Sequence, residues 1–246
     1  MKNILWILVF VLGAGANVVH AQVKAVVASV TANRTLYTAG FTDVSINVIG
    51  MVSDRFNVQT EVSKVKDFIY SELSKDFPFT LIPESDFLAN TSFQEHVASV
   101  KNNAFVNATK AVNDRVGVDG YLYTVVKSDV AKALECFSAE SVNAVMVIAV
   151  DCYLAPKVLI GGNGSALAKI KVTVSLWNKD YKVLMDVSAE SSSEQTFGIA
   201  AGQIVSNREK IPDALAEASD AVFKNMKESM PKAIKKFEKK LSKYKM

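Results

Sequence analysis

The stretch KIKVTVSLWNKDYKVLMDVS, residues 169–188, decides the fold class. Ile170, Val172, Val174 and Leu176 alternate with Lys171, Thr173 and Ser175, the period of two that puts apolar groups on one face of a strand. Asn178-Lys179-Asp180 predicts a tight hairpin turn, and Val183, Met185 and Val187 face together on the returning strand over residues 181–188. The result is a sheet with one wet face, its register set by the apolar side.

Outward from this hairpin, residues 142–153 read as another valine-rich strand, as do residues 23–30 and, through Val44, Ile46 and Val48, residues 44–52. Residues 77–83 and 118–126 are further strand candidates. Between them, Val58, Val62, Val65, Ile69 and Leu73 recur at helical spacing over residues 57–75, leaving Glu61, Lys64 and Lys66 for the wet side. A second helix is expected over residues 92–116, with Phe93, Val97, Val100, Ala104, Ala108, Ala111 and Val112 on its stripe. From Glu209 onward Ile211, Leu215, Ala218, Val222 and Met226 trace a third, resumed by Ile234, Phe237 and Leu241 after Pro231, which is expected to kink or divide it. Amphipathic helices alternating with strands must bury their stripes on a sheet. The expected fold class is therefore α/β: a layered mixed sheet flanked by amphipathic helices, with a C-terminal helix.

The 246 residues are 50% hydrophobic and 22% charged, the composition of a folded domain rather than a disordered chain. Lys2, the apolar run of residues 4–12 and Val19-His20-Ala21 before Gln22 read as a secretory signal peptide over residues 1–21. A single domain over 22–223 and a basic helical tail over 224–246, continuing the last helix, complete the expected organisation. The tail holds nine Lys and two Glu, net +7, which leaves −5 for residues 22–223.

Little catalytic chemistry is legible. Past the leader the only histidine is His96, with no nucleophile motif nearby, and no close-spaced metal-ligand pairs occur. Gly161, Gly162 and Gly164 lack the Lys, the Ser or Thr and the strand-to-helix setting of a phosphate loop, so they read as a hairpin or surface loop. Glu84 and Asp86 are spaced like a carboxylate pair, but they read as a solvated strand-to-helix loop, since catalysis requires a pocket geometry that spacing does not supply. Export permits a disulfide between Cys136 and Cys152, and spacing alone leaves it open. No catalytic residue, cofactor or metal is expected. An enzyme with an unrecognised carboxylate or Ser/Thr site is the remaining catalytic alternative.

Five segments carry a resemblance to the bacterial envelope group of the TolB amino-terminal domain, the curli secretion protein CsgG and the synthase activator LpoB. They are residues 57–75, the stretch FPFTLIPESDFL at 77–88, VGVDGYL at 116–122, the hairpin at 172–187 and the helix at 211–221. Val58, Val62, Leu73, Leu81, Ile82, Phe87, Gly117 and Gly120 match packing or turn positions of that group. The resemblance implies a noncatalytic protein that recruits, assembles or activates others. No cysteine stands beside the cleavage point, unlike the lipidated members, and no pair of membrane-crossing strands is read.

The expectation is thus an exported adaptor or assembly protein, in the bacterial periplasm, peripheral to the outer membrane or secreted, with an envelope protein as partner. Glu84, Asp86, Tyr121, Lys235, Lys236, Lys239 and Lys240 are the candidate contacts. The alternative is an anionic lipid or glycan held by the basic helix; nucleic acid is not expected, and self-association is left open. Amino-terminal sequencing of the exported protein should begin at Gln22; an intact Met1 would remove the leader reading.

Overall fold

The computed structural model describes residues 23–38, 46–47, 52–106, 115–124, 127–201 and 203–244. The expected leader lies outside the described residues, as do most of the 44–52 strand and positions 107–114 of the expected second helix. The elements are β1 (Lys24–Asn33), β2 (Thr35–Thr38), β3 (Ile46–Asn47), α1 (Val58–Ser71), β4 (Thr80–Leu81), α2 (Glu84–Leu88) and α3 (Thr91–Val106). There follow β5 (Arg115–Gly117), α4 (Lys127–Glu135), β6 (Ala144–Ile160), β7 (Asn163–Asn178), β8 (Val183–Ala200), β9 (Gln203–Ile204) and α5 (Ile211–Tyr244). The fold is α/β, a mixed sheet flanked by helices and closed by a long C-terminal helix.

The sheet runs β3-β2-β6-β7-β8-β9, with β1 parallel to β6 and holding β4 and β5 on its other side. Its register follows the apolar alternation: Val174 stands between Ile148 and Val187, whereas Thr173 stands between Ala149 and Ser188. Val172, Val174 and Leu176 are fully buried and Lys171, Thr173 and Ser175 half-exposed. At about 1.5–3 kcal/mol for each large aliphatic side chain buried, a one-residue slip would forfeit several such contributions together.

Helices α1 and α5 cover the apolar face. Asn57 caps α1, its Oδ1 accepting from the amides of Gln59 and Thr60 at 2.9 and 3.4 Å. Val58, Val62, Val65, Ile69 and Leu73 are all buried, as their spacing predicts. Glu61 departs from that expectation: it is 1% exposed, not on the wet side. Its carboxylate accepts from Lys64 Nζ at 2.6 Å and from Ser219 Oγ of α5 at 2.5 Å, which ties the two helices together. Beside β1 and β6 the opposite face is closed as well, since α4 packs there and Val26, Val145 and Val147 are buried. The periodicity did not announce α4.

Helix α5 is continuous from Ile211 to Tyr244 with Pro231 inside it, so the expected division does not occur. Met226, Met230, Ala233 and Phe237 continue its buried stripe across the proline, so packing on the sheet compensates the hydrogen bond that proline cannot donate. The basic tail is thereby part of the core. Three side chains of α5 also reach backbone groups of β8: Glu217 accepts from the Glu194 amide at 2.8 Å, Asn225 donates to the Glu190 carbonyl at 2.9 Å, and Lys240 donates to the Val183 carbonyl at 2.6 Å.

Other boundaries differ from the pattern reading. Residues 115–117 form a strand rather than the end of a helix, because they pair with β1 and Arg115 bonds Thr31 Oγ1 at 2.8 Å. Of the strand expected over 118–126, positions 125–126 lie outside the described residues, and 118–124 carry a single bridge between Leu122 and Ser29, after a turn at Asp119-Gly120 in which Gly120 has φ +85°. Within 77–83 only Thr80 and Leu81 pair, and Glu84 and Asp86 lie on the short α2, not in a loop.

Both hairpins have the turns their residues predict. Asn178 Oδ1 accepts from the amides of Asp180 and Lys182 at 3.0 and 2.9 Å. Gly161 and Gly162, with φ +59° and +81°, make the two-residue turn between β6 and β7, so the glycines serve a hairpin. Gly164, with φ +154°, passes so close to β6 that an added Cβ would lie 2.0 Å from the Val158 carbonyl oxygen. Gly164→Ala should cost about 1–3 kcal/mol in urea unfolding, whereas Gly161→Asn, at an open left-handed position, should change little.

Candidate interaction surface

The structure joins Tyr121 to Glu84, leaves Asp86 outside that contact, and groups Lys235, Lys236, Lys239 and Lys240 on α5. Tyr121 is fully buried, its ring packed edge-on against Phe87 at 5.6 Å, so it belongs to the core rather than to a partner surface. Its hydroxyl donates to Glu84 Oε1 at 2.7 Å, and Lys66 Nζ donates to both Glu84 oxygens at 2.7 and 3.0 Å. Asp86 is exposed and, among the described residues, accepts a side-chain bond from its neighbour Ser85 Oγ at 2.9 Å. The two carboxylates therefore do not work as a pair.

The electrostatics of this cluster are those of a brace. Burial alone would raise the Glu84 pKa, but hydrogen bonds from Lys66 and Tyr121 outweigh it and hold the value below the ordinary 4.5. Burial works against the Lys66 ammonium, yet its bonds to Glu84 and Asp67 leave its pKa raised. Burial, with the Glu84 charge beside it, pushes the Tyr121 hydroxyl far up. Each group is locked into one protonation state around neutrality. His96 likewise serves structure, its Nε2 donating to the Asp129 carbonyl of α4 at 2.8 Å.

Cys136 and Cys152 are both free. Cys152 is buried in β6, where its backbone exchanges hydrogen bonds with the Asn33 side chain and burial pushes its thiol up to about 12. Cys136 directly follows α4, where its Sγ contacts the carbonyls of Ser92 and Lys132 at 3.6 and 3.7 Å. Among the described residues no group of three or more His, Cys, Asp or Glu is placed to hold a metal.

On α5, Lys235, Lys236 and Lys239 are exposed, while Lys240 is partly buried on the Val183 carbonyl. The apolar stripe that continues past Pro231 faces the sheet: Phe237 is fully buried, and Ile234 and Leu241 pack against the same core.

A second open array of polar side chains lies elsewhere, on the wet face of β6, β7 and β8. Its polar rows are Lys169, Lys171, Thr173 and Ser175 on β7, facing Ser192, Glu190, Ser188 and Asp186 on β8. At one side Tyr37 of β2 stacks on Tyr153 of β6 with ring centroids 5.1 Å apart and planes within 5°, and Tyr37 remains 45% exposed. The Tyr153 hydroxyl donates to Glu190, which also accepts from Lys169 at 2.5 Å. Arg115 of β5 pairs with Asp151 of β6 at 3.0 Å. Burial raises the Tyr37 pKa, helped by the charges of Asp151 and Glu190. The alternation of residues 169–176 announced the polar rows. It did not announce Tyr37 or Arg115, which reach this face through short strands whose residues carry no period.

A scan against models of known protein families gives no match for this chain, and a search of curated proteins gives none either.

Since the folded-state pKa of Glu84 is lowered, its ionised form stabilises the fold fully above about pH 4.5, and this contribution is lost as the pH falls through the folded value. Glu84→Gln should cost about 1 kcal/mol at neutral pH, reduced by solvent screening, and the difference from wild type should narrow as the pH falls below the ordinary carboxylate value in urea titrations.

Proposed function

We propose that this protein is a noncatalytic, exported adaptor or assembly protein of a bacterial cell envelope, acting through protein contacts on the wet face of its sheet. The observation that carries the reading is the Tyr37–Tyr153 stack beside an open array of charged and hydroxyl side chains. Tyr and Arg supply large contact area with hydrogen-bonding ends, and such residues are enriched where proteins meet. Ion pairs that stay wet, such as Lys169–Glu190, add specificity and orientation more than affinity. The action is placement: α1 and α5 make the opposite side rigid, so a partner on the open side is held in one orientation. The resemblance to the TolB, CsgG and LpoB group, together with the leader read over residues 1–21, supports an envelope setting.

In-cell photo-crosslinking tests this. A crosslinking side chain at Thr173 or Ser188 should trap the same envelope protein, and one at Ser71 on the covered side should not. Tyr37→Ala, checked for native circular dichroism, should lower recovery about tenfold, the effect of losing one aromatic anchor of about 1.4 kcal/mol. Recovery independent of site and of Tyr37 would end the proposal.

A further inference from the structure

Beyond the adaptor role, and independent of the sheet face that carries it, we infer that the outer ridge of α5 is a docking surface for an anionic lipid bilayer, bound by charge without insertion. At about 100° per residue Lys232, Lys235, Lys236, Lys239 and Lys243 fall within an arc of about 100° and along about 16 Å of axis. All five are exposed, and Pro231 with Lys232, Lys235, Lys236 and Lys239 lines a shallow hollow of about 440 Å³. One acidic residue, Glu228, extends the same arc by a turn, and it lies 4.0 Å from Lys224.

The occupant follows from residue type. The ridge holds lysine alone among charged donors, with no arginine fork and no aromatic anchor, and lysine is depleted where proteins meet. Flexible point charges suit a diffuse anionic plane whose headgroups can rearrange around them. Insertion is closed off because the apolar stripe is already spent: Met230, Ala233 and Phe237 are buried against the sheet. Surface attraction of this kind falls within a Debye length, so salt should weaken it.

Vesicle flotation of the purified protein provides the test. It should rise with vesicles of equimolar phosphatidylglycerol and phosphatidylcholine, stay down with phosphatidylcholine alone, and be released by salt. The variant K235Q/K236Q/K239Q, with unchanged circular dichroism, should bind the anionic vesicles roughly a hundredfold more weakly. Hydrogen exchange across 226–241 should be the same on and off the vesicles. Equal binding to both vesicle types, undiminished binding by the variant, or exchange that speeds up on the vesicles overturns the proposal. So does a protein that ignores anionic vesicles, and its retention by polyglutamate would then assign the ridge to an acidic protein. None of these outcomes bears on crosslinking at Thr173 or Ser188.

Discussion

Three long strands with one apolar face require a cover as long as themselves, and α5 supplies it. From Glu194 back to Val183 the strand spans eleven residues, about 36 Å at 3.3 Å each, while from Glu217 to Lys240 the helix spans 23, about 35 Å at 1.5 Å each. The match of these rises lets side chains from both halves of the helix meet backbone groups of β8 at Glu194, Glu190 and Val183. Helix and strand thus run antiparallel in near-perfect step. The same contacts occupy outward-facing polar groups of β8, whose bare edge would otherwise be a template for pairing with another strand. A segment that looks like a charged appendage by composition is a wall of the building.

Polar groups inside the covered side are shared between elements. Glu61 of α1 is satisfied by Ser219 of α5, and Glu84 of α2 by Lys66 of α1 and by Tyr121 beyond β5. The enclosed Glu61 carboxylate would cost several kcal/mol without its partners, and the half-buried Glu84 less, so these bonds make the relative placement of the helices specific rather than merely greasy. On the open side, chemically similar residues have the opposite consequence. Lys169, Glu190 and the Tyr37–Tyr153 stack satisfy one another while keeping solvent-facing surface, which is what a docking face requires.

The regular elements were legible because their signal is local. The α1 stripe, the β7–β8 hairpin and its Asn178 turn, and the double-glycine turn all appear where their residue patterns place them. Misreadings fall where remote contacts outvote local pattern. Arg115 sits at the end of a helical period, yet pairing with β1 and bonds to Thr31 and Asp151 draw it into a strand. Tyr121 suits a surface contact or a core by type alone, and only the arrival of Phe87 and Glu84 encloses it.

The chain by itself determined that there would be a sheet with one wet face, helices with single apolar stripes and a lysine-rich end, because periods of two and 3.6 are relations among near neighbours. Tertiary structure alone decided which charges are enclosed and which remain available. Glu61 and Ser219 are 158 positions apart, and Tyr37 meets Tyr153 across the sheet. Whether a side chain keeps its water depends on which distant element comes to lie over it, and no local period encodes that.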